Sequence, residues 1–575
     1  MRGDVPSSPV KDEAGPAPSR ELFLVLAAVA VPLLWLSDRA VNIDEPLFLW
    51  LGEQIQRAPF DFFGFDVNWY GTAQPVYAVT RNPPLVGFLI AAAGDTSERG
   101  LHLLFLFPAG VAAWATWALA RRFCGQGWPA ALLAVGAPVF LVCANTVMSD
   151  VPMLALWLVA LLCWVRGADG EGDGWLWCAG AVAALGVWTK FFAVALVPLL
   201  AAHAIFARLS PRRVVLPLCL PLLALAGLEV VMLKRYGAGA IGQALAEALH
   251  LEGIARPTLL RQWSEGLAFA GGCVTPTLVF LPWLWGWRVC AGAAVAVLGF
   301  VALSPGSLAA VGLPLAAGSS EAAVTSARWF ALEFGLMSVG GLSLLALGLR
   351  ELRSGVDADR VLLVLWLLGS FLFAAFVNWT NNGRSNLVLA PVAAILIMRR
   401  LSLRRVAARR TGPLLAGVAC LAFAFVVAAA DRAWSNGVRD AARELFARHG
   451  GEQTLWFHGH WGLQYYLQRQ GARPVDWQVD TLQPGDRLIV ASNNAESHHP
   501  GAASAELIDL LVWPATGWVQ TQAKSRGASF NASTLGPVPF LVGPASADQY
   551  RVYRVRQPIR FERWFDWADR EAASD

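Results

Sequence analysis

Long runs of apolar residues constrain the fold of this chain more than any other feature of its sequence. They recur from residue 21 to residue 430, and many approach the roughly 20 residues that a helix needs to cross a bilayer. Of the 575 residues, 56% are hydrophobic and only 15% are charged, whereas about a quarter are charged in a typical soluble domain. The sequence therefore predicts an all-α polytopic membrane domain.

About thirteen transmembrane helices are predicted. The first, at 22–36, is expected to be retained, because no small-residue cleavage site follows it. The others are predicted at 101–120, 128–146, 151–165, 175–190, 191–207, 214–233, 267–287, 289–304, 327–349, 361–378, 385–399 and 412–430. Arginine-rich linkers, of which 399–410 is the most basic, alternate with polar ones along this series. By the positive-inside rule, the N-terminus is predicted to be cytoplasmic and the C-terminal region extracytoplasmic.

Three parts are expected in the chain. Residues 1–20 hold several prolines and mixed charges and are predicted to be disordered on the cytoplasmic side. Residues 21–430 form the predicted membrane domain, whose first outer loop, at 38–100, is polar and aromatic. After residue 430 the charges, Gln and His return, with strands predicted at 454–458, 487–491 and 549–556 and a helix at 461–470. Residues 431–575 are therefore predicted to form a small soluble α/β domain on the extracytoplasmic side.

The remaining composition narrows the classes of function. A net charge of only +4 gives no basis for nucleic-acid binding. The eight cysteines show no paired spacing and are interpreted as small core residues. His458, His460, His498 and His499 could bind a metal, but no third ligand stands at a suitable spacing. No metal site and no cofactor are therefore predicted, although a divalent cation in the site is left open.

Asp44 and Glu45 are adjacent carboxylates directly after the first predicted helix. Pro46 and a periodic apolar run follow them, so that Asp44 is suited to begin a helix. A pair of acids at the outer mouth of a membrane protein is also suited to catalysis. The two interpretations are compatible, because a helix N-terminus favours a negative charge and can hold a carboxylate in place.

Aromatic and amide side chains fill the rest of the first outer loop. Trp69, Tyr70 and Tyr77 carry rings with polar tips, which suit sugar faces and also the headgroup layer of a membrane. A substrate-binding wall and an interfacial aromatic belt therefore stay open as alternatives. Arg81 and Asn82 follow, and could contact a phosphate or position a substrate.

Three further polar residues are predicted at outer turns between spans. Lys190 stands in an otherwise uncharged stretch of a chain whose basic residues are nearly all Arg, and an intramembrane cation indicates a function. Asp150 precedes Pro152, and Arg384 lies in a turn rich in amides, where its planar guanidinium suits a phosphate. The alternatives are a turn acid for Asp150, a snorkelling side chain for Lys190 and a solvated turn around Arg384.

Taken in chain order, these motifs resemble those of the GT-C superfamily of membrane glycosyltransferases. The resemblance is greatest to the bacterial protein-mannosyltransferase and aminoarabinose-transferase-like group, of the glycosyltransferase family 39/83 type. The motifs are Asp44-Glu45, Pro83-Pro84-Leu85, Ser149-Asp150-Val151-Pro152, Thr189-Lys190, and the turn with Arg384 before Pro391. Members of the group often carry Lys directly before Pro-Pro, whereas this chain has Asn82 there and Arg81 before it.

The resemblance implies transfer of a sugar from a polyprenyl-phosphate donor to an acceptor hydroxyl, with inversion, at the outer face of a bacterial inner membrane. The acceptor would be a lipid, a polysaccharide or a protein, and membrane lipids would surround the chain. Asp44 and Glu45 are the implied catalytic carboxylates, with Asp44 as the general base. Arg81, Lys190 and Arg384 would bind the donor phosphate. Asp150, Asn82, Trp69, Tyr70 and Tyr77 would position the substrates. A transporter or flippase of lipid-linked substrates and a non-catalytic membrane scaffold are the alternatives.

Overall fold

The computed structural model describes residues 18–80, 82–239, 241–242, 257–313, 321–404, 411–451, 453–495, 497–515 and 517–561. Arg81 and most of the tail predicted at 1–20 lie outside the described residues.

The described part of the first 450 residues is almost entirely helical. Its α-helices are α1 Pro18–Leu36, α2 Glu45–Arg57, α3 Val76–Thr80, α4 Leu85–Ala93, α5 Glu98–Cys124, α6 Gly127–Val135, α7 Pro138–Ala144, α8 Asp150–Ala168, α9 Asp173–Thr189, α10 Leu196–Phe206, α11 Pro211–Tyr236, α12 Leu259–Cys273, α13 Pro276–Val279, α14 Leu281–Trp285, α15 Trp287–Ala302, α16 Gly306–Ala310, α17 Glu321–Arg353, α18 Ala358–Leu372, α19 Gly383–Asn386, α20 Leu389–Leu403 and α21 Thr411–His449. A 3-10 turn, Phe191–Ala195, leads into α10, and a π-helical turn, Phe373–Val377, ends α18.

Within the described residues, 8 helices are long and apolar enough to cross a membrane, or 9 if the bent pair α6 and α7 forms one span. A multi-pass helical membrane part is thus confirmed, whereas the predicted number of thirteen spans is not. Proline explains part of the difference between the predicted and the observed number of spans, because a proline inside a helix removes a backbone hydrogen bond. The apolar run predicted as one span at 267–287 is divided among α12, α13 and α14, and the last two begin next to Pro276 and Pro282.

Glycines let two helices of the membrane part approach each other closely. A Cβ atom added to Gly271 in α12 would lie 1.8 Å from the backbone oxygen of Met337 in α17. On the facing helix, a Cβ at Gly341 would lie 2.2 Å from the backbone oxygen of Leu267. Small residues allow this kind of backbone contact between membrane helices.

The arginine-rich linkers gather at one end of the helices. Arg122 at the end of α5 donates to Asp169 after α8 at 2.6 Å and to Asp359 in α18 at 2.7 Å. Arg399 in α20 donates to Glu351 in α17 at 3.0 Å. The linkers that the positive-inside rule groups together therefore lie together in space.

At the other end the chain forms a mixed five-stranded sheet. After the hairpin β1 Asp66–Asn68 and β2 Ala73–Pro75 in the first outer loop, the strands are β3 Leu455–His458, β4 Arg473–Pro474, β5 Arg487–Ala491, β6 Ala505–Trp513, β7 Val519–Gln520, β8 Gln522–Ala523, β9 Ala528–Ser529, β10 Leu541–Val542 and β11 Asp548–Val555, and helix α22 is Trp461–Arg469. The five strands of the sheet lie in the order β4-β3-β5-β11-β6, with β3 parallel to β4 and β5, and β11 antiparallel to β5 and β6. The predicted strands 454–458, 487–491 and 549–556 correspond to β3, β5 and β11.

The first outer loop packs against this sheet-containing region. The side-chain amide of Asn68 donates to the carbonyl of Val475 at 3.0 Å, and the backbone N–H of Trp477 donates to the carbonyl of Gly71 at 2.8 Å. Helix α21 joins the two regions without interruption, so the predicted domain boundary at residues 430 and 431 falls inside a helix. The loop that carries Asp44 and the C-terminal region are therefore on the same side of the membrane helices.

Replacing Gly271 by Ala is expected to destabilise the membrane part by about 1–3 kcal/mol, because the added methyl group would meet backbone atoms that cannot turn aside. The measurement is the thermal unfolding temperature of the purified protein in detergent. Gly292→Ala in α15 is the matched control, because a Cβ there would meet nothing within 4 Å. Equal unfolding temperatures for both variants would contradict the close approach of α12 and α17.

Candidate active site

Asp44 and Arg384 form an ion pair between the first outer loop and a late outer turn. Asp44 directly precedes α2, and its side chain makes no capping hydrogen bond to that helix. Instead, Nη1 of Arg384 donates to Oδ2 of Asp44 at 2.5 Å. The Asp44 side chain is 29% exposed, so its carboxylate is reachable from outside the protein.

The backbone next to Asp44 is strained. Ile43 has φ 54°, in the left-handed region that β-branched residues seldom occupy. Hydrogen bonds on both sides hold it there: the Ile43 N–H donates to Oδ1 of Asn42 at 2.8 Å, and the Glu45 N–H donates to the carbonyl of Asn42 at 3.2 Å. Such strain is found where surrounding contacts fix a functional geometry.

Short-range hydrogen bonds build the turn that carries Arg384. The side-chain oxygen of Asn382 caps α19 by accepting from the N–H of Ser385 at 2.8 Å. Asn386 donates from its amide to Oδ1 of Asn381 at 2.9 Å, and Asn378 donates to Oγ of Ser385 at 2.7 Å. The amides that made this turn look like a ligand site in the sequence are thus used to shape the turn itself.

Lys190 and Asp150 form a second ion pair beside the first. Nζ of Lys190 donates to Oδ1 of Asp150 at 2.5 Å. Lys190 directly follows α9 with an extended backbone, and Asp150 is the first residue of α8 and only 2% exposed. Nη1 of Arg384 also donates to Sδ of Met148, two residues before Asp150, at 3.4 Å. The structure therefore brings Asp44, Arg384, Asp150 and Lys190 together as one cluster of alternating charges.

Glu45 lies in a different environment from its neighbour Asp44. It is fully buried, and both of its carboxylate oxygens are occupied. Oε2 accepts from Nη1 of Arg39 at 2.7 Å and from the N–H of Asn42 at 2.6 Å, and Oε1 accepts from the N–H of Val147 at 2.7 Å. Arg39 also donates from Nε to Oδ2 of Asp431 at 2.8 Å. Glu45 thus joins the first outer loop to the turn before α8 and to α21.

Opposing effects act on the ionisation of Glu45. Burial raises its pKa, whereas the charge of Arg39 and the N–H groups of Asn42 and Val147 act to lower it. Arg39 is held charged, since burial would lower its pKa but Glu45 and Asp431 together raise it above the ordinary value. With three donors on its two oxygens and no exposed surface, Glu45 is an acceptor in a buried network.

The predicted substrate-positioning residues of the first outer loop are placed in three locations. Asn82 lies near the turn before α8, where Oγ of Ser149 donates to its side-chain oxygen at 3.4 Å. Trp69 and Tyr70 lie against His460 of the C-terminal region, with ring centroids 4.7 and 6.0 Å away. Tyr77 packs on Tyr236 in α11 at 5.5 Å. Arg81, the third predicted phosphate ligand, lies outside the described residues.

Sequence reasoning missed the residues that connect the site to the C-terminal region. Arg39, Asp431, Thr521 and Phe530 stand in no motif and in no charge pattern. The pairs Arg39–Asp431 and Asp431–Thr521 are separated by 392 and 90 residues. Only a contact in three dimensions relates them.

In the described part of the chain, no group of three or more His, Cys, Asp or Glu residues is arranged to hold a metal ion. The histidine tract of the C-terminal region is instead packed. Nδ1 of His458 and the carbonyl of His498 are 2.8 Å apart, and burial lowers the pKa of His458 to about 3. His458 is therefore a neutral core side chain.

Comparison with known proteins agrees with the motifs. Residues 81–233 match the family of dolichyl-phosphate-mannose-protein mannosyltransferases, a stretch that includes Asn82, Asp150 and Lys190. The predicted resemblance to the protein-mannosyltransferase group is confirmed for this stretch. No curated protein sequence matches the chain.

Three solved structures are similar to the chain at low sequence identity. ArnT from Cupriavidus metallidurans bound to undecaprenyl phosphate is 14% identical, with a TM-score of 0.43 over 83% of this chain and 94% of that one. The Archaeoglobus fulgidus oligosaccharyltransferase tethered with an acceptor peptide is 12% identical, with a TM-score of 0.42 over 80% and 64% of the two chains. Arabinosyltransferase EmbB from Mycobacterium smegmatis is 15% identical, with a TM-score of 0.32 over 86% and 47%.

Replacing Glu45 by Gln is expected to lower the free energy of unfolding by about 3–5 kcal/mol, because it removes one partner of a buried ion pair. Chemical denaturation in detergent would measure the change. Glu53→Gln on the same helix is the matched control. Glu53 is 40% exposed and its pairs with Arg57 and Arg469 are 4.0 and 3.3 Å long, so its loss should cost less than about 1 kcal/mol. A Glu45 variant as stable as the Glu53 variant would contradict the network described above.

Proposed function

We propose that this chain transfers a sugar from a polyprenyl-phosphate donor to an acceptor hydroxyl at the extracytoplasmic face of a membrane, with inversion at the anomeric carbon. The observation that carries the proposal is the meeting of Asp44, Arg384, Asp150 and Lys190. They come from four separate segments of a chain that is otherwise poor in charge. The match of 81–233 to a family named for transfer from a lipid-phosphate mannose supports this reaction class.

Asp44 is the general base in this proposal. Its carboxylate is partly exposed, makes no bond to its own helix and is held from one side by Arg384. It would accept the proton of the acceptor hydroxyl within hydrogen-bond reach. As the hydroxyl oxygen bonds to the anomeric carbon, the bond from that carbon to the phosphate oxygen breaks. The polyprenyl phosphate leaves with the electron pair.

Lys190 and Arg384 stabilise the departing phosphate in this proposal. Fixed cations aimed at developing negative charge usually supply the largest part of such catalysis. Each of them is paired with a carboxylate, so the two carboxylates and two cations balance one another before the donor binds. The donor phosphate would share these cations with Asp44 and Asp150. Arg81 stays a third predicted phosphate ligand.

The sequence suggested Glu45 as a catalytic residue, but in this proposal Glu45 positions the backbone of Asp44. Its buried carboxylate meets Arg39 and two backbone N–H groups, and therefore fixes the backbone on which Asp44 stands. Asp150, 2% exposed, orients Lys190. Asn82, Trp69, Tyr70 and Tyr77 stay proposed contacts for the acceptor or for the donor sugar.

The orientation in the membrane is also proposed. The end of the helices that carries Arg122 and Arg399 would be cytoplasmic, and the end with Asp44 and the sheet would be extracytoplasmic. The membrane would be the inner membrane of a bacterium. A lipid, a polysaccharide and a protein stay open as acceptors.

Replacing Asp44 by Asn should lower sugar transfer by about 10²–10⁴-fold, the usual contribution of a general base. The measurement is the incorporation of radiolabelled mannose from polyprenyl-phosphate mannose into membrane material. Asp66→Asn, an exposed acid in the same loop, is the matched control and should transfer like the wild type. Transfer at the wild-type rate in the Asp44 variant would exclude Asp44 as the base.

A separate experiment tests the alternative function. Movement of labelled lipid across a reconstituted bilayer without any glycosidic product would favour a flippase.

Replacing Lys190 by Ala should weaken donor binding and turnover, by on the order of 10²-fold in kcat/KM for the donor. Binding of undecaprenyl phosphate to the purified protein, followed by microscale thermophoresis, tests the phosphate contact independently of the sugar. Lys234→Ala is the matched control, because Lys234 is an exposed lysine in the last turn of α11. Equal affinities of both variants for undecaprenyl phosphate would indicate a snorkelling side chain at 190.

A further inference from the structure

One short stretch of the C-terminal region is bonded directly to the Arg384 side of the Asp44–Arg384 ion pair and, through other side chains, to the Asp44 side. It runs from residue 521 to residue 533 and is called here the bridging segment. It includes β8, β9 and the 3-10 turn Lys524–Arg526 between them. It bonds directly to Gly383, the residue before Arg384, and is connected through Asp431 and Arg39 to Glu45, the residue after Asp44.

On the Arg384 side, the bridging segment bonds directly to the turn. The N–H of Gly383 donates to the carbonyl of Phe530 at 2.7 Å, and the N–H of Ser533 donates to the carbonyl of Asn381 at 2.8 Å. The Phe530 ring covers Gly383 so closely that an added Cβ would lie 2.3 Å from Cζ of the ring. Gly383 is therefore required by this contact, and the contact fixes the backbone from which Arg384 extends.

On the Asp44 side, the bridging segment acts through two intermediate residues. Oγ1 of Thr521 donates to Oδ1 of Asp431 at 3.1 Å, and the other oxygen of Asp431 accepts from Arg39 at 2.8 Å. Arg39 in turn holds Glu45 at 2.7 Å. Each of these four residues is at most 2% exposed. Moving any one of them would leave a buried charge with an incomplete shell of partners, which is costly.

The two anchors of the bridging segment are bonded to each other. The N–H of Phe530 donates to the carbonyl of Thr521 at 2.8 Å. The contacts therefore form a closed ring, which runs from Asp44 through Glu45, Arg39 and Asp431 to Thr521, and then through Phe530 and Gly383 to Arg384. The bond from Arg384 to Asp44 closes it.

We propose that the bridging segment sets the geometry of the Asp44–Arg384 pair, with Thr521 and Phe530 as positioning residues for the transfer reaction. The inference rests on the proposed function, in which this pair binds the reacting groups. A displacement of about 1 Å in such a group can cost on the order of 10²-fold in rate. The C-terminal region is thus a part of the active-site scaffold, beyond any role in docking an acceptor.

A double-mutant cycle at Gly383 and Phe530 tests the direct anchor. Gly383→Ala should lower kcat by on the order of 10²-fold, because the new methyl group pushes the turn away from the ring. Phe530→Ala removes the ring but keeps the backbone bond, so its kcat should fall less. The double variant should regain at least about tenfold over Gly383→Ala, a coupling of the size found between contacting residues.

Phe540→Ala is the matched control for the loss of a buried ring. Phe540 belongs to the same region but packs on Phe423 in α21, with ring centroids 5.7 Å apart. Its kcat and both KM values, per folded molecule, should equal those of the wild type. A segment that only docks the C-terminal region would instead give equal losses of folded protein in all variants, with unchanged kcat.

The indirect anchor is tested at Thr521. Thr521→Val keeps the shape but removes the donor to Asp431, and should lower kcat on the order of tenfold, whereas Thr521→Ser should restore it. Hydrogen exchange followed by mass spectrometry adds a readout that needs no substrate. The peptide 40–48 should exchange faster in Thr521→Val than in the wild type or in Thr521→Ser, because the Asn42 N–H depends on Glu45.

Three results would overturn the inference: wild-type kcat in Gly383→Ala, no recovery in the double variant, or unchanged exchange of 40–48 in Thr521→Val. Failure of the proposed function would look different. The wild type itself would then transfer no sugar from polyprenyl-phosphate mannose or from polyprenyl-phosphate donors that carry other hexoses or pentoses. The exchange experiment alone would then decide whether the bridging segment holds the first outer loop.

Discussion

The buried bond of Arg39 to Glu45 and Asp431 is the interaction on which the rest of this architecture depends. A guanidinium that is 1% exposed would be prohibitively costly without partners. Its two carboxylates come from α2 and from α21, so the start and the end of the membrane part must meet before Arg39 is satisfied. The first outer loop therefore reaches its final shape only when the last membrane helix is in place. A local stretch of sequence could not fold into this site alone.

The same arrangement explains why two adjacent acids take different roles. Asp44 is outside the helix and partly exposed, whereas Glu45 is its first residue and fully buried. Asp44 makes no side-chain bond to that helix and pairs with Arg384, whereas Glu45 pairs with Arg39. The left-handed backbone at Ile43 turns the chain directly before Asp44. One carboxylate is left partly exposed, and the other is enclosed in a buried network beneath the same turn.

The candidate site residues were easiest to predict from the sequence in segments that hold few charged residues. In a chain with so few ionisable residues, Asp44, Asp150, Lys190 and Arg384 could be predicted as a group, and the structure brings them together. The number of spans could not be read correctly, because hydropathy alone does not register a break such as that next to Pro276. Thr521 and Phe530 could not be found, since a hydroxyl and a ring without periodicity give no signal. Their importance comes from contacts between distant parts of the chain.

Helix α21 has a mechanical consequence. It contains 39 residues, which at 1.5 Å per residue is about 60 Å, roughly twice the hydrocarbon thickness of a bilayer. A single continuous helix thus connects the lipid-embedded part to the sheet-containing region, and Asp431 lies partway along this helix. The length of this helix accordingly sets the height of the sheet above the bilayer. A change in membrane thickness therefore leaves the distance along this helix between Asp431 and the sheet-containing region unchanged.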